Sequence, residues 1–215
     1  IFTFLVDVEG LSFPQAVEQL AEQAGVELRA LTKDEEKKIS SRKKLYSIME
    51  MANDFFMSNL LGDNRAIGYL SERGINKEVI SEYKIGYAKD NFSSLHKYLL
   101  DKGILNEDIL LAGLIIKSEK KKNSYYDRYR DRIIFPITNT YGKIVGFGGR
   151  VINEDDKPKY MNSPETEIFH KGNLLYNYSN IKSPVKEIDN LVVVEGYMDA
   201  ISLCSQGFKN VVAPL

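Results

Sequence analysis

The 215-residue sequence has a single cysteine, only two histidines and no tryptophan. Because Cys204 stands alone, an internal disulfide is impossible, and the sequence fits a reducing compartment such as the cytoplasm. His96 and His170 have no cysteine or histidine neighbour at the spacing of a transition-metal site. No apolar run approaches the ~20 residues of a transmembrane helix, so no membrane partner is expected. A large excess of one charge is also missing, since the formal net charge is −1.

A chain of this length, with 43% apolar residues, can bury a substantial core in one or two domains. Apolar residues at helical spacing predict helices over residues 12–24, 45–60, 65–73, 76–83, 92–100 and 106–112. β-branched and aromatic runs then predict strands over residues 85–88, 114–117 and 143–151, and over 125–137 either a strand pair or one strand with a basic approach. The segments 125–137 and 143–151 are predicted to form an antiparallel hairpin whose glycines allow close approach. Between 158 and 177 we predict a long polar loop.

The last part of the sequence predicts the start of a parallel α/β unit. Four apolar residues at 191–194 indicate a buried strand, and Glu195 follows where that strand should end. Gly196 lets the backbone turn, Asp199 precedes a helical pattern, and a further strand begins near residue 208. The fold class is therefore α/β, with an α+β amino-terminal part ahead of this unit.

Glu195 and Asp199 are candidate metal ligands. Ligands in open α/β sheets bind beyond the carboxyl ends of strands, and a hard cation such as Mg²⁺ takes one or two carboxylates together with substrate phosphates. The alternative is that Asp199 only favours the start of a helix and that Glu195 is simply solvated. Spacing alone does not decide between them.

A second candidate site is a basic, aromatic segment. Between Lys117 and Arg132 there are seven basic and three acidic residues, and tyrosines alternate with the arginines. Cations that hold a backbone beside aromatic rings that stack on bases are typical of single-strand binding. Arg128, Arg130 and Arg132 would share one face if they lay on one strand. The alternative is a solvated sheet edge protected by charge.

In combination, several segments resemble the bacterial DNA primase family of the DnaG type. The motifs occur in matching order: YLxxRGI and IGYA within 65–88, YRDRIIFPI at 129–137, GFGGR at 146–150, PKYMNSPET at 158–166 and EGYMD at 195–199. The likeness covers nearly the whole chain. It implies the end of a zinc-binding domain at 1–30, the amino-terminal subdomain of the RNA polymerase core at 45–188 and the start of a Toprim domain at 189–215. Between the first two, the residues at 31–44 are almost entirely polar and charged, and they predict a linker or a solvated helix start.

The resemblance also implies a function: synthesis of RNA primers from ribonucleoside triphosphates on single-stranded DNA during replication. Glu195 would bind Mg²⁺ or Mn²⁺ and act with Asp199, and further metal-binding aspartates are expected beyond Leu215, so we expect this segment to be catalytically incomplete. Zn²⁺ is expected only ahead of Ile1, and a replicative helicase would bind a carboxy-terminal domain outside the sequence. The basic or nucleotide-facing positions that match are Arg73, Arg128, Arg130, Arg132, Lys159, Tyr160, Asn162 and Lys171. The alternatives are another Toprim enzyme, such as a nuclease or a topoisomerase-like enzyme, and a non-catalytic single-strand-binding fragment.

Overall fold

The computed structural model describes residues 2, 5, 13–26, 29, 32–119, 121, 124–153, 155–181 and 190–215. The chain divides into two compact units, residues 1–40 and residues 41–215. The predicted helix start at Ser12, Lys120 and Lys122 of the basic segment, and residues 182–189 ahead of the last unit lie outside the described residues. Within the described part, no helix is both long and apolar enough to cross a membrane.

The predicted helices are confirmed, and their bounds change by a few residues except for the helix predicted at 45–60, which begins at Lys33. They are α1 (Phe13–Gln23), α2 (Lys33–Leu61), α3 (Asn64–Ser71), α4 (Lys77–Glu82), α5 (Ser94–Asp101) and α6 (Asn106–Leu111). Asn76 caps α4, since its side-chain oxygen accepts a hydrogen bond from the amide of Val79 at 3.0 Å.

Of the two alternatives for the polar residues 31–44, a linker or a solvated helix start, the structure shows the helix from Lys33 onward, because α2 begins there. Thr32 and Glu35 form a reciprocal capping pair: the Thr32 amide donates to Glu35 at 2.8 Å, and the Glu35 amide donates to the Thr32 hydroxyl at 3.3 Å. These bonds satisfy amide groups that a helix start otherwise leaves open. The polar residues at 33–44 are therefore the first turns of a helix.

A sheet with strand order β1-β4-β5-β6 forms the centre of the second unit. Its strands are β1 (Gly86–Ala88), β4 (Arg132–Thr138), β5 (Ile144–Val151) and β6 (Tyr160–Asn162), and every pairing is antiparallel. β4 is buried on both faces, because Ile133 and Phe135 pack into one apolar cluster while Ile134 packs into another with Phe56 and Phe147. The predicted β4–β5 hairpin is confirmed.

The structure decides between the two alternatives for 125–137 and corrects the prediction for 158–177. The segment 125–137 is two strands in different sheets: β3 (Tyr125–Asp127) pairs with β2 (Ile115–Lys117), and the backbone turns at Asp131, whose φ is +47°, before β4 begins. Aspartate is one of the few residues that adopt this left-handed conformation at low cost. The predicted polar loop at 158–177 contains β6, a short 3₁₀ helix at Lys171–Asn173 and β7 (Leu175–Tyr176).

The end of the chain forms the predicted strand–helix–strand unit. β8 (Val192–Val193) runs parallel to β9 (Val211–Pro214), α7 (Tyr197–Ser205) connects them, and β7 pairs with the other edge of β9. The prediction that the first strand is buried is wrong, since the side chain of Val193 is 62% exposed. Among the described residues β8 pairs with β9 alone, and it forms an edge of this sheet.

Candidate functional site

Glu195 lies directly after β8 and is exposed, and Gly196 behind it is the N-cap residue of α7. The glutamate lines a cavity of about 360 Å³. The residues around this cavity are Tyr160, Asn162, Lys171, Glu195, Gly196, Tyr197, Pro214 and Leu215. The cavity therefore brings together Glu195 and three of the predicted nucleotide-facing residues, which come from the end of β8, from β6 and from the 3₁₀ turn.

The position of β6 depends on a close contact between β5 and α7. Gly148 of β5 pairs with Asn162 of β6, and a methyl group at Gly148 would lie 2.3 Å from a ring carbon of Tyr197. The ring thus occupies space that only a glycine leaves free. The Tyr197 hydroxyl then donates to the side-chain oxygen of Asn162 at 2.6 Å. This bond fixes the asparagine at the wall of the cavity.

Arg150 extends the site toward α3, although the sequence predicted no role for it. It pairs with Tyr160 across β5 and β6, its guanidinium carbon lies 5.0 Å from the centre of the Tyr160 ring, and Nη1 donates to the Tyr160 hydroxyl. Its Nε donates to the hydroxyl of Tyr69 at 2.6 Å. The guanidinium carbon of Arg73 lies 3.9 Å from the centre of the same Tyr69 ring. The spacing of Tyr69 and Arg73, four residues apart, was the available signal for their contact.

Burial and neighbouring groups shift the pKa values of Tyr160 and Arg150, the two residues that join these elements. Burial raises the pKa of the Tyr160 hydroxyl above its ordinary value, and the Asp199 carboxylate acts in the same direction while Arg150 opposes it. Burial alone would lower the pKa of Arg150, but the hydroxyls of Tyr160 and Tyr69 outweigh it, and the pKa is raised. Both side chains therefore keep their ordinary charge state at neutral pH.

Asp199 lies in the first turn of α7, on the same side as Gly196. A methyl group added at Gly196 would lie 3.1 Å from the Asp199 carboxylate and 3.9 Å from the Tyr160 hydroxyl. Asp199 is exposed, and its place in the first turn also suits the positive end of the helix dipole. The acid is thus close to the cavity that Glu195 lines, and the alternative, that it only favours the start of α7, stays open.

Lys171 reaches the cavity from a turn held by an acid. The Lys171 amide donates to Glu165 at 3.0 Å, and Nδ1 of His170 lies 3.1 Å from the other oxygen of the same carboxylate. These two contacts keep the pKa of Glu165 below its ordinary value. Lys159 is also exposed, just ahead of β6, and its carbonyl accepts a hydrogen bond from the Val151 amide at 3.2 Å.

Arg130 lines a different cleft. Its guanidinium lies 4.1 Å from the centre of the Phe92 ring and 5.5 Å from that of Tyr126, and the Phe92 side chain is 66% exposed. Ser93, Ser118, Lys121, Ser124 and Tyr125 complete the lining of this cleft. Asp127 joins β3 to the start of α5 next to this cleft. Its carboxylate accepts hydrogen bonds from the amides of Leu95 and His96, in the first turn of α5, at 2.8 and 2.9 Å.

The prediction that three arginines alternate along one strand is wrong. Arg128 and Arg130 lie between β3 and β4, and only Arg132 belongs to β4. Arg132 is buried, and its Nη1 donates to the carbonyl of Pro158 at 2.7 Å, so it anchors the approach to β6. The cleft around Arg130 and the cavity around Glu195 have no lining residue in common. The two candidate sites are therefore two separate depressions.

The side chains around the Glu195 cavity place one cation, Lys171, and one carboxylate together but do not form a complete metal centre. Glu195 offers exposed oxygen atoms of the kind that hard cations accept. In the described ranges, no group of three or more histidine, cysteine, aspartate or glutamate side chains could hold a metal ion. Glu195 alone can thus supply part of a coordination shell whose remaining oxygens come from elsewhere.

Comparisons with known proteins agree with the motifs. The model of the DNA primase catalytic core, N-terminal domain, matches residues 55–182. A DNA primase of Pseudomonas putida is 39% identical over 99% of this chain, and this chain covers 33% of it. The chain spans about a third of the length of the curated relatives it matches.

Solved primase structures share this fold. A DnaG primase catalytic domain bound to single-stranded DNA superposes with a TM-score of 0.74 and 37% identity, over 82% of this chain and 57% of that one. The zinc-binding and RNA polymerase domains of the Aquifex aeolicus primase superpose with a TM-score of 0.73 and 34% identity, over 100% of this chain and 51% of that one. Because the family model covers more than half of the sequence, the chain belongs to the DNA primase catalytic-core family.

Proposed function

We propose that this chain is part of a primase that makes RNA primers on single-stranded DNA from ribonucleoside triphosphates. The observation that carries the proposal is the cavity in which Glu195, Lys171, Asn162 and Tyr160 meet. Lys171 supplies a cation for a triphosphate, Asn162 supplies a fixed amide, and Tyr160 supplies an aromatic face beside them. A carboxylate, Glu195, and a cation, Lys171, in one cavity suit a reaction in which phosphate charge must be positioned and neutralised.

Phosphoryl transfer asks for little covalent chemistry from the protein. It depends on in-line positioning of the reacting oxygens and on compensation of the charge on the phosphates, largely by divalent ions. We propose that Glu195 holds Mg²⁺ or Mn²⁺, with Asp199 close by and further ligands outside the described residues. When bound, the ion neutralises phosphate charge. The chain's own contribution is to orient the nucleotide through Lys171 and Asn162.

The template would bind in the cleft of Arg130 and Phe92. An exposed ring that carries a guanidinium on its face offers a stacking surface and a charge for the adjacent phosphate. This combination does not depend on base identity, which suits a template of arbitrary sequence. Arg128 and Lys159 line neither the cleft nor the cavity, and we propose that they only add positive charge to the surface that the template follows. Arg132 acts through its bond to Pro158.

The domain assignments of the sequence analysis remain part of this proposal. They are the end of a zinc-binding domain at 1–30, the polymerase subdomain at 45–188 and the start of a Toprim domain at 189–215. The parallel β8–α7–β9 unit supports the last of these, since a strand-end glutamate precedes its helix. The helicase contact through a further domain and the cytoplasmic location stay predictions.

Glu195→Gln in the full-length protein tests the metal role. The amide keeps the size of the side chain but loses the negative charge that a divalent ion requires, so primer synthesis should fall by about 100-fold or more. Synthesis is measured by incorporation of labelled ribonucleotides on a single-stranded DNA template. Affinity for labelled single-stranded DNA should stay unchanged, because Glu195 does not line the Arg130 cleft.

Glu78→Gln is the matched control, since Glu78 is exposed on α4 away from the cavity. If Glu195→Gln made primers at the rate of the control, the assigned metal role would be refuted. Nicking of the DNA in place of synthesis would favour a nuclease or topoisomerase-like enzyme. DNA binding with neither reaction by the unaltered protein would favour a binding module.

A further inference from the structure

Of the described residues that line the Glu195 cavity, Asn162 alone has an uncharged amide side chain. The other polar side chains there offer a cation, a carboxylate and two hydroxyls, which belong to Lys171, Glu195, Tyr160 and Tyr197. The cation and the carboxylate suit a triphosphate and its divalent ion. A neutral amide suits a neutral part of the nucleotide instead, which is either the base or the sugar.

The amide of Asn162 has a fixed orientation, because Tyr197 engages its oxygen. The Tyr197 hydroxyl donates to Oδ1 of Asn162 at 2.6 Å. Burial raises the pKa of this hydroxyl, so it keeps its proton and remains a donor at neutral pH. Nδ2 of Asn162 has no hydrogen-bond partner in the part of the chain that the structure describes. The amide therefore offers a donor to a ligand in the cavity, and a hydroxyl oxygen can accept from it.

The ring of Tyr197 is itself held by packing. Its side chain is only 4% exposed, and a methyl group at Gly148 would lie 2.3 Å from one of its ring carbons. The rings of Phe135 and Tyr176 pack against it, with centroids 5.9 and 4.7 Å away. A hydroxyl on a ring fixed in this way is a donor at a fixed point. The core beneath the cavity thus sets the orientation of the Asn162 amide.

Templated synthesis argues against the base as the partner of this amide. Bases differ in the donors and acceptors along their edges, so an amide of fixed orientation would favour some bases over others. A site that copies a template of arbitrary sequence must accept all four bases, and pairing with the template selects among them. The ribose is common to all four ribonucleotides. An oriented amide in this cavity therefore suits a ribose hydroxyl.

The two ribose hydroxyls have different parts in primer synthesis. The 3′ oxygen of each added nucleotide forms the bond to the next phosphate, so a tight protein contact there would hinder the following step. The 2′ hydroxyl takes no part in that bond and is absent from deoxyribonucleotides. A site built to hydrogen-bond a substrate hydroxyl rejects an analogue that lacks it, because its own polar group is then left without a partner.

We propose that Tyr197 is a positioning residue that orients the Asn162 amide to donate a hydrogen bond to the ribose 2′ hydroxyl, so that the pair selects ribonucleotides over deoxyribonucleotides. This inference rests on the proposed function, because it takes a ribonucleoside triphosphate as the ligand of the cavity. It adds sugar selection to that function. Asn162 contacts the nucleotide, and Tyr197 acts through Asn162.

Tyr197→Phe tests the inference in the full-length protein, since it keeps the ring beside Gly148 and removes only the donor to Asn162. Extension of an RNA primer on a poly(dT) template is measured with ATP and, separately, with 2′-dATP. Loss of one neutral hydrogen bond predicts that kcat/KM for ATP falls by about 3- to 10-fold, through KM. The value for 2′-dATP should change by less than about twofold, so the ratio of the two values shrinks.

Two further measurements make the readout specific to the sugar. GTP, CTP and UTP on matching templates should lose as much as ATP, because all four share the ribose. If extension with 2′-dATP is too slow to follow, its inhibition constant against ATP gives the same comparison. A general disturbance of Glu195, two residues before Tyr197, would lower extension with ATP and with 2′-dATP alike.

A double-mutant cycle separates positioning from packing. Asn162→Ala should lower the ratio of ATP to 2′-dATP at least as much as Tyr197→Phe does, and Tyr197→Phe in that background should add less than about twofold, because the group that it positions is gone. Tyr176→Phe is the matched control. Its ring centroid lies 4.7 Å from that of Tyr197, but it does not line the cavity. It should leave the ratio unchanged.

Three results would overturn the inference: equal losses with ATP and 2′-dATP, a loss confined to one of the four ribonucleotides, or an undiminished loss from Tyr197→Phe in the Asn162→Ala background. Urea unfolding of each variant shows whether a loss of activity comes from a loss of folding, and Asn162→Ala keeps the test open if Tyr197→Phe is unstable. Failure of the unaltered protein to extend a primer with any ribonucleotide would instead refute the proposed function.

Discussion

At the scale of single residues, the contact between Gly148 and Tyr197 sets the shape of the cavity. An alanine methyl group at 148 would meet the Tyr197 ring at 2.3 Å, so the ring or β5 must move. We expect Gly148→Ala to lower the free energy of unfolding by about 1–3 kcal/mol, as overpacking does in cores. It should also lower primer synthesis, because the moved ring no longer holds Asn162. Urea unfolding and the synthesis assay measure the two effects.

Gly68→Ala is the control of opposite sign. Gly68 lies inside α3, and a methyl group there would meet nothing within 4 Å. Replacing a helix-interior glycine by alanine should raise the free energy of unfolding by about 0.5–1 kcal/mol. Equal stability of the two variants would show that the 148 position is not crowded.

The sequence predicted the chemical character of single residues better than the residues that they contact. It predicted that the β5 glycines allow close approach, but a glycine pattern does not say which ring fills the space, and Tyr197 lies 49 residues further along. Arg150 was missed for the same reason, since its hydroxyl partners come from α3 and β6. The exposed position of Glu195 agrees with its predicted place after a strand.

At the scale of elements, Asp131 joins three of them where the chain enters β4. Its carboxylate accepts a hydrogen bond from the Tyr87 hydroxyl of β1 at 2.6 Å and pairs with Arg65 of α3. Burial alone would raise the pKa of Asp131, but Arg65 and Tyr87 outweigh it and the pKa is lowered. A carboxylate with a lowered pKa stabilises the fold above its unfolded pKa of about 3.9, and this contribution is lost as the pH falls below that value.

Asp131→Asn should therefore destabilise the protein by about 0.5–1 kcal/mol near pH 7, a small value because Arg65 is 56% exposed. The difference from the unaltered protein should shrink below about pH 4, where the aspartate becomes protonated. Asparagine tolerates the left-handed backbone, so the change adds no strain. Urea unfolding between pH 7 and pH 3 measures the trend. A difference that grew toward low pH would contradict the assigned sign.

Asp54→Asn provides the comparison for this pH series. Asp54 is exposed on α2, so its substitution removes the same charge without disturbing α3, β1 or β4. It should change stability little at any pH.

The elements themselves were predicted unevenly. Long helices were found because their apolar spacing is independent of their partners. β6 and β7 were missed because they lie within a segment rich in polar and turn residues and contain no β-branched residue, and they exist by pairing with β5 and β9. The division of 125–137 into β3 and β4 follows from the turn at Asp131, which no apolar pattern marks.

Across the whole chain, the proposed binding of the template in the Arg130 cleft, apart from the Glu195 cavity, predicts that the charge and the exposed ring of this cleft contribute to DNA affinity in different ways. Arg130→Gln removes one phosphate contact, so the dependence of log affinity on log salt should flatten by about 0.7. Phe92→Ala removes a stacking surface without changing charge, so affinity should fall by about 5- to 100-fold with the salt slope unchanged. Anisotropy titrations at several salt concentrations measure both.

Lys97→Gln is the control for charge. Lys97 is exposed on α5, the helix that Asp127 holds, and it does not line the Arg130 cleft. If it flattened the slope as much as Arg130→Gln did, the cleft would have no special role and a diffuse positive surface would explain binding.

The composition could suggest a nucleic-acid surface but not its layout. The segment Lys117–Arg132 was recognised from local charge and aromatic content, both properties of consecutive residues. Its division into a stacking cleft at Arg130 and a buried anchor at Arg132 depends on where β4 begins. The cavity at Glu195 needs four segments that are distant in the sequence.

The open side of β8 has a consequence for work with this chain in isolation. Val192 and Val193 are exposed, and within the described part of the chain their strand pairs with β9 alone. A strand edge with free amide and carbonyl groups and apolar side chains favours the addition of strands from other molecules. Concentrated preparations of this segment are therefore prone to self-association through β8, and a charged side chain at Val193 would be the simplest protection against it.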